Sequence, residues 1–422
     1  MTAVKNEWKP HHLDELGFVG RGKSRHRPRN DARLYGGPYP FIQTADVMNA
    51  DPYITDYSQT YTEFGLQQSK LWPPNTLCMT IAGANTAKTA ILKFEACFPD
   101  SIVGFIPDEK RADLHFVKYS LDLMKHKFLA VSRGATQDNL SLDKLLSFPI
   151  RTPHLQDQHR IAGILSAYDD LIDISQRRIK ILEEIARLLY REWFVNFRFP
   201  GHEKAPLVAS PFGPIPKGWE VETLGEHLAA LESGKRPKGG IRDVADGVPS
   251  IGAENINGIG RHDFASEKRI SREFFEQMRK GVVRDRDVAI YKDGAYIGKS
   301  SYFRDGFPHS ECCVNEHVFL LRVHGHRLTQ NALYLWLQEP DTVHAIRATN
   351  ANAAQPGINQ QSVGGLELIL PDADAAAQFD RLVEPLLAKI INLAKRIQIL
   401  RRTRDLLLPR LLSRETTLKL MG

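Results

Sequence analysis

The sequence predicts an α/β protein of the mixed α+β kind. Two similar globular domains are separated by two long antiparallel coiled-coil helices. Three observations predict this. The chain repeats itself, two segments of roughly 40 residues carry an apolar stripe every 3.5 residues, and short β-rich runs alternate with turns between them.

The repeat is clearest in the helical segments. Adding 218 to the residue number carries Pro153 onto Pro371, Ile161 onto Phe379, Leu165 onto Val383, Ile172 onto Ile390, Leu182 onto Leu400 and Leu189 onto Leu407. The same offset carries Ser132–Leu140 onto Asn350–Ile358, so that Gln137 meets Gln355. Further upstream an offset of 211 aligns Gly83 with Gly294 and Lys88 with Lys299. Gly37-Pro38-Tyr39-Pro40-Phe41-Ile42 echoes Gly247-Val248-Pro249-Ser250-Ile251. The expected order is a globular domain over 1–152, a helix over 153–199, a linker over 200–217 rich in Pro and Gly, a second globular domain over 218–370 and a last helix over 371–415.

Each helix has its own signature. The series Ile161, Leu165, Tyr168, Ile172, Ser175, Ile179, Leu182, Ala186, Leu189, Trp193 alternates steps of four and three. Its partner runs Phe379, Val383, Leu386, Ile390, Leu393, Ile397, Leu400, Arg404, Leu407, Leu411. Such a narrow stripe seeks another helix, and antiparallel pairing of the two segments is the simplest arrangement. Packing of each helix on its own domain is the other. Pro385 predicts a kink or a late start in the second helix. Trp193, Phe194 and Phe197 are expected to be exposed near the end of the first, as a surface that expects a partner.

Within the domains, the runs Thr76–Ile81, Ile102–Ile106, Val288–Tyr291 and His317–Val323 read as strands. One helix per domain is expected, over Leu114–Phe128 and Gln330–Ile346.

Composition limits the function. Of 422 residues, 42 % are hydrophobic and 25 % charged, enough for real cores. The net charge of +6 suits a polyanionic partner without requiring one. Cys78, Cys97, Cys312 and Cys313 have no metal-ligand spacing and read as reduced thiols of a cytoplasmic protein. Met1–Pro10 has no apolar secretory core, and no run of apolar residues is long enough to span a membrane.

No catalytic set is legible. Gly294-Ala295-Tyr296-Ile297-Gly298-Lys299-Ser300 approaches a P-loop but has three residues between its glycines where four are needed. Its partner Gly83-Ala84-Asn85-Thr86-Ala87-Lys88-Thr89 lacks the second glycine. A turn presenting a lysine and a hydroxyl to a phosphate fits both copies, as does a plain hairpin turn. Pro107-Asp108 and Pro371-Asp372 read as turns rather than nuclease carboxylates, and no HExxH or GxSxG string occurs.

Basic loops are the stronger signal. Gly20–Asn30 holds Arg21, Lys23, Arg25, Arg27 and Arg29, and Ser233–Gly240 holds Lys235, Arg236 and Lys238 at the equivalent place. Such loops meet phosphates through charge and base edges through Arg or Lys forks. Gln137 and Gln355, with Arg133, Thr136 and Asn352 beside them, carry groups that read base edges or serve ordinary turns.

These residues together resemble one family. Leu155-Gln156-Asp157-Gln158-His159-Arg160-Ile161-Ala162-Gly163-Ile164-Leu165, Arg191-Glu192-Trp193-Phe194-Val195-Asn196-Phe197 and Arg402-Thr403-Arg404-Asp405-Leu406-Leu407-Leu408-Pro409-Arg410-Leu411-Leu412 are similar to the specificity subunits of type I restriction–modification systems. The resemblance covers essentially the whole chain. It implies two target-recognition domains, each reading one half of an asymmetric, bipartite DNA site, and helices that act as a ruler for the gap. It implies no catalysis by this chain. Two modification (methyltransferase) subunits and the restriction (nuclease and translocase) subunits are the implied partners, and S-adenosylmethionine, ATP and Mg2+ belong to them. Implied DNA contacts are Lys23, Arg25, Arg27, Arg29, Lys88, Arg133, Thr136, Gln137, Lys235, Arg236, Lys238, Lys299, Asn352 and Gln355. Implied docking residues are Trp193, Phe194, Phe197, Arg404 and Leu408. The second copy departs from the first in having Asn352 and Ala354 where Gly134 and Thr136 stand.

Overall fold

The computed structural model describes residues 8–83, 86–132, 139–237, 240, 244, 246–349 and 357–413. The chain divides into two compact units, Met1–Asp173 with Ile399–Gly422, and Ile174–Gln398. Each long helix is therefore shared, its two halves belonging to different units.

The first unit is built on two sheets. Five strands, Gly17–Arg21, Ile102–Pro107, Leu77–Thr80, Thr89–Leu92 and Tyr53–Ile54, lie in that order. All neighbours are antiparallel except the last pair, where Tyr53 lies beside Ile91. The second sheet runs Gln59–Tyr61, Tyr35–Phe41, Ala96–Cys97, Leu71–Trp72, with a parallel step that sets Phe41 beside Cys97. The helix Leu114–Ser132 buries Val117, Leu121 and Phe128 against Leu77, Met79, Ile91 and Phe105 of the larger sheet. Central strands buried on both faces read as continuous apolar runs, as Leu77–Thr80 and Thr89–Leu92 do. Lys9–His11 pairs with Ile150–Thr152 and closes the domain beside the long helix.

The second unit repeats this plan. Leu228–Ser233, Val318–Val323, Val288–Tyr291 and Ser300–Tyr302 form an antiparallel sheet in the same order as their counterparts. Lys268–Ile270, Val248–Ile251 and Cys313–Val314 form the smaller sheet, again with a parallel step, here Ser250 beside Cys313. Glu220–Thr223 pairs with Glu367–Leu370 where the first unit pairs its ends. The single helix expected over Gln330–Ile346 is instead two, Gln330–Trp336 and Pro340–Ala348. Pro340 cannot donate a backbone hydrogen bond and is placed at the first position of a new helix, after an extended Glu339.

The long helices run Leu155–Tyr190, prolonged by a π-helical turn Arg191–Val195, and Ala373–Leu411. Asp372 caps the second, its Oδ1 accepting from the Ala375 N–H at 2.9 Å. Helix continues unbroken through Pro385, so the late start expected there is absent. Much of the predicted seam is buried, namely Ile161, Leu165, Ile172, Ile179 and Ala186 on one helix and Phe379, Val383, Ile390, Leu393 and Ile397 on the other, while Tyr168, Leu182, Leu189, Leu386 and Leu400 are half-buried. In the first unit Ile161 and Leu165, near the start of the central helix, cluster with Leu407, Leu408 and Leu411 at the end of the other. In the second unit Tyr190, Trp193 and Phe194 meet Phe379, close to the start of the other. In the first unit Asp169 meets Arg404 while the earlier Ile161 and Leu165 cluster with the later Leu407, Leu408 and Leu411, so the two helices run antiparallel there.

Candidate nucleic-acid interface

Both basic loops leave the end of an edge strand and are anchored by a glycine. Gly22 follows Gly17–Arg21, and Gly234 follows Leu228–Ser233. A Cβ on Gly22 would lie 2.2 Å from the Phe98 carbonyl oxygen, and one on Gly234 would lie 1.6 Å from that of Val314. The backbone is pressed against the end of the parallel strand in both units, which only glycine permits. Backbone bonds fix the first loop further, with Gly22 N–H donating to Ile102 O at 2.9 Å, Lys23 N–H to Phe98 O at 3.0 Å and Arg25 N–H to Gln68 O at 3.1 Å.

The side chains then divide. Lys23, Arg25 and Lys235 are exposed and have no acidic partner among the described residues. Arg27 donates its Nη1 to the Ser24 and His26 carbonyls at 2.7 and 2.8 Å, spending part of its fork on the loop itself. Arg29 is paired with Asp100 at 3.0 Å and Arg236 with Glu316 at 3.0 Å, both partly exposed. His26 Nε2 lies 2.7 Å from Asp31 Oδ2. Hydrogen bonds, from Arg33 foremost, hold the Asp31 carboxyl well below the usual range. Beside this loop Phe18 is exposed, and the Lys70 ammonium sits 4.2 Å from its ring centre and 3.8 Å from that of Trp72. Lys70 and Phe18 escaped the sequence reading because neither belongs to a basic run. An exposed aromatic face with a cation over it is nevertheless what a base or sugar can stack upon.

The two lysine-bearing turns differ. Gly83 and Gly294 both take positive φ, 78° and 125°, as equivalent turns should. After Lys299 the chain enters the strand Ser300–Tyr302 rather than a helix, so the P-loop arrangement, which needs a helix N-terminus, is excluded there. Lys299 is exposed, with its Nζ 4.3 Å from the Tyr296 ring centre. It borders a cavity of about 340 Å³ lined also by Arg187, Arg261 and Arg347. Arg187 donates to Gln338 Oε1 at 3.1 Å, Arg347 to the Ile297 carbonyl at 3.1 Å, and Arg261 to Glu183. Burial nonetheless raises the Glu183 carboxyl above its ordinary value, Arg261 and Arg187 opposing it. Four cations against one carboxylate make this a positive recess suited to an anion. They come from separated segments, which is why the sequence did not disclose it. Lys88 lies instead among charges of both signs. Burial lowers its pKa, Asp51 opposes that, and Lys118 adds to it.

Arg133, Thr136, Gln137, Lys238, Asn352 and Gln355 lie outside the described residues. The helix-end aromatics correct an expectation. Trp193 and Phe194 are buried, not exposed, and Phe197 is half-buried. Phe194 packs on Phe379 at 4.6 Å and Trp219 at 5.6 Å, while Phe197 meets Trp219 edge-on at 5.7 Å. The linker returns Trp219 onto them, a long-range closure that local sequence does not show. Arg404 is likewise turned inward onto Asp169, and Leu408 packs with the cluster around Ile161 and Leu165. Exposed apolar residues do exist on the central helix, as Ile174, Ile181, Ile185, Leu188 and Val195. Their steps of seven, four, three and seven form a second heptad stripe, beside the buried one. Asp108 and Asp372, weighed as nuclease carboxylates, serve a turn and a helix cap.

A family model described as the type I restriction modification DNA specificity domain matches residues 5–184. The specificity subunit of the type I restriction enzyme MjaIX of Methanocaldococcus jannaschii is 25 % identical over 437 residues, covering 97 % of this chain and 93 % of that one. The HindI specificity subunit of Haemophilus influenzae is 31 % identical over 114 residues, 26 % of this chain and 23 % of that one. Among solved structures, the S subunit of a type I restriction–modification system from M. genitalium superposes with a TM-score of 0.58 at 16 % identity, over 97 % of both chains.

Proposed function

We propose that this chain, whose residues 5–184 match the type I restriction modification DNA specificity domain, is a specificity subunit of such a system, that it reads an asymmetric, bipartite site on double-stranded DNA and that it holds the other subunits of the enzyme in place. Its own role is non-catalytic. The observation that carries the reading is the pair of cationic loops, each hinged at a glycine with no room for a Cβ and each leaving the same edge of a repeated domain. Lys23 and Arg25 in one domain, and Lys235 and the recess around Lys299 in the other, supply charge to phosphates, while forks and amides near them read bases. Because the domains share a plan but not a sequence, the two half-sites differ.

Two modification subunits and the restriction subunits are the partners, with S-adenosylmethionine, ATP and Mg2+ bound by them, in the cytoplasm. The exposed stripe Ile174, Ile181, Ile185, Leu188, Val195 is the apolar face that a helix of a modification subunit would cover. In the described residues no helix is long and apolar enough to cross a membrane.

Methylome sequencing of the source strain with and without this gene tests the reading. Loss of one gapped, asymmetric methylated motif is expected. An unchanged methylome in a strain whose modification subunit is expressed and active would contradict it.

A further inference from the structure

The second unit contains a side-chain cluster that DNA reading does not use. His262 and Glu267 lie in the segment leading to the strand Lys268–Ile270, and His309 lies in the segment leading to Cys313–Val314. The His262 and Glu267 side chains are only 1 % and 4 % exposed, and His309 is 21 % exposed. His262 Nε2 is 2.9 Å from Glu267 Oε2, and His309 Nε2 reaches the same oxygen. The three ligand atoms all lie within 4.8 Å of one another.

The surroundings fix these groups. Glu267 Oε1 accepts from Arg269 Nη2 at 3.2 Å, while Arg269 Nη1 is held by the Gly247 carbonyl at 3.0 Å, so Oε2 is left to the imidazoles. Phe264 lies 4.6 Å from the His262 ring and 5.6 Å from the His309 ring, edge to face with both.

We propose that His262 Nε2, Glu267 Oε2 and His309 Nε2 bind one divalent transition-metal ion of the zinc class. Two imidazole nitrogens and one carboxylate oxygen form a donor set that such ions favour over Mg2+ or Ca2+. Arg269 is the outer partner that orients the ligating carboxylate. Each ring then keeps its proton on Nδ1. His309 leaves the site open to solvent, and a water completes the coordination. The ion would staple the segments before Lys268–Ile270 and before Cys313–Val314, the two strands that flank Val248–Ile251. In the first unit the residue at Glu267's place, before the strand Gln59–Tyr61, is Ser58, so the staple belongs to the second domain alone.

The test uses the full-length chain, stripped with a chelator and then titrated with ZnCl2 or CoCl2. About one equivalent of zinc should bind, with a rise in Tm, and cobalt should give visible d–d absorption. His309→Gln, at the more accessible ligand, should lose the bound equivalent, the Tm rise and the cobalt bands while keeping the far-UV spectrum of the metal-free wild type. His262→Gln should do the same if it folds. Absence of stoichiometric zinc and of cobalt bands in the wild type would mean a hydrogen-bonded triad only, and would overturn the proposal. So would binding that survives His309→Gln and disappears in His227→Gln, which would place the ion on Glu222, Glu226 and His227.

Discussion

Arg404 Nη1 lies 2.5 Å from Asp169 Oδ1, and Tyr119 donates its hydroxyl to the other oxygen of the same carboxylate at 2.5 Å. Asp169 is fully buried, and Arg404 is mostly so. The pair joins the start of the central helix to the end of the last one, with Arg401 bonded to Asp51 at 2.8 Å one turn away. Charge burial raises the cost of breaking such a pair, because the carboxylate left behind has no water to solvate it.

Arg404→Met should therefore destabilise the chain by about 3–5 kcal/mol, the range for removing one partner of a buried ion pair. The pairing with Asp169→Asn should recover part of that loss. Denaturant unfolding of the single and double variants measures both. A loss under about 0.5 kcal/mol, typical of surface substitutions, with failed subunit assembly would instead make Arg404 a docking residue.

Gly22→Ala and Gly234→Ala should each disturb the basic loop that follows, since an added Cβ would collide with Phe98 O or Val314 O. An overpacking cost of about 1–3 kcal/mol is expected, together with weaker DNA binding. Gly163→Ala is the control, because its Cβ would meet nothing within 4 Å. Equal behaviour of all three variants would contradict the loop geometry.

Lys23→Ala, Arg25→Ala and Lys235→Ala should weaken DNA binding of the assembled enzyme on all sequences alike. Each phosphate contact removed should lower the slope of log K against log[salt] by about 0.9. Arg29→Ala and Arg236→Ala should cost less, since Asp100 and Glu316 already hold those side chains. Binding isotherms at several salt concentrations decide it. An order in which the acid-paired arginines matter more would reverse the assignment.

Ile181→Glu with Leu188→Glu should abolish binding of one modification subunit while leaving unfolding unchanged, because both side chains are exposed. Size-exclusion chromatography of the reconstituted complex reads the loss. Unchanged stoichiometry would remove the stripe from the docking surface.

Acid should loosen the second unit. Burial alone would raise the Glu384 carboxyl, yet bonds from Arg304 and Asn331 hold it at about 2. A carboxyl depressed on folding stabilises above its unfolded pKa of about 4.3, and that contribution disappears as pH falls through the folded value. Stability should fall between about pH 4.5 and 2, and Glu384→Gln should flatten this part of the profile. An unaltered profile in the variant would contradict the role given to Glu384.

Much of the architecture was legible because its signals are periodic or repeated. The seam from Ile161 to Trp193 and its copy from Phe379 to Leu411 need only residue spacing, and the strands around Leu77–Thr80 and Val288–Tyr291 only short apolar runs. The break at Pro340 was missed because the helix pattern continues across it. Trp193 and Phe194 are buried, against the expectation, because Phe379 of the other long helix packs on both and Trp219, from beyond the linker, packs on Phe194. Lys23, Arg25 and Lys235 stood out as runs, whereas Arg187, Arg261 and Arg347 around Lys299 come together only in three dimensions. His262, Glu267 and His309 have no regular spacing and gave no signal at all.

The central claim is that each repeated domain reads its own half of the DNA site. Its most direct measurement is the methylome of cells carrying the complete enzyme, before and after residues 218–370 are replaced by the corresponding domain of another specificity subunit. One half of the gapped methylated motif should change while the other half stays as it was. A motif that keeps both halves after the exchange would contradict the account.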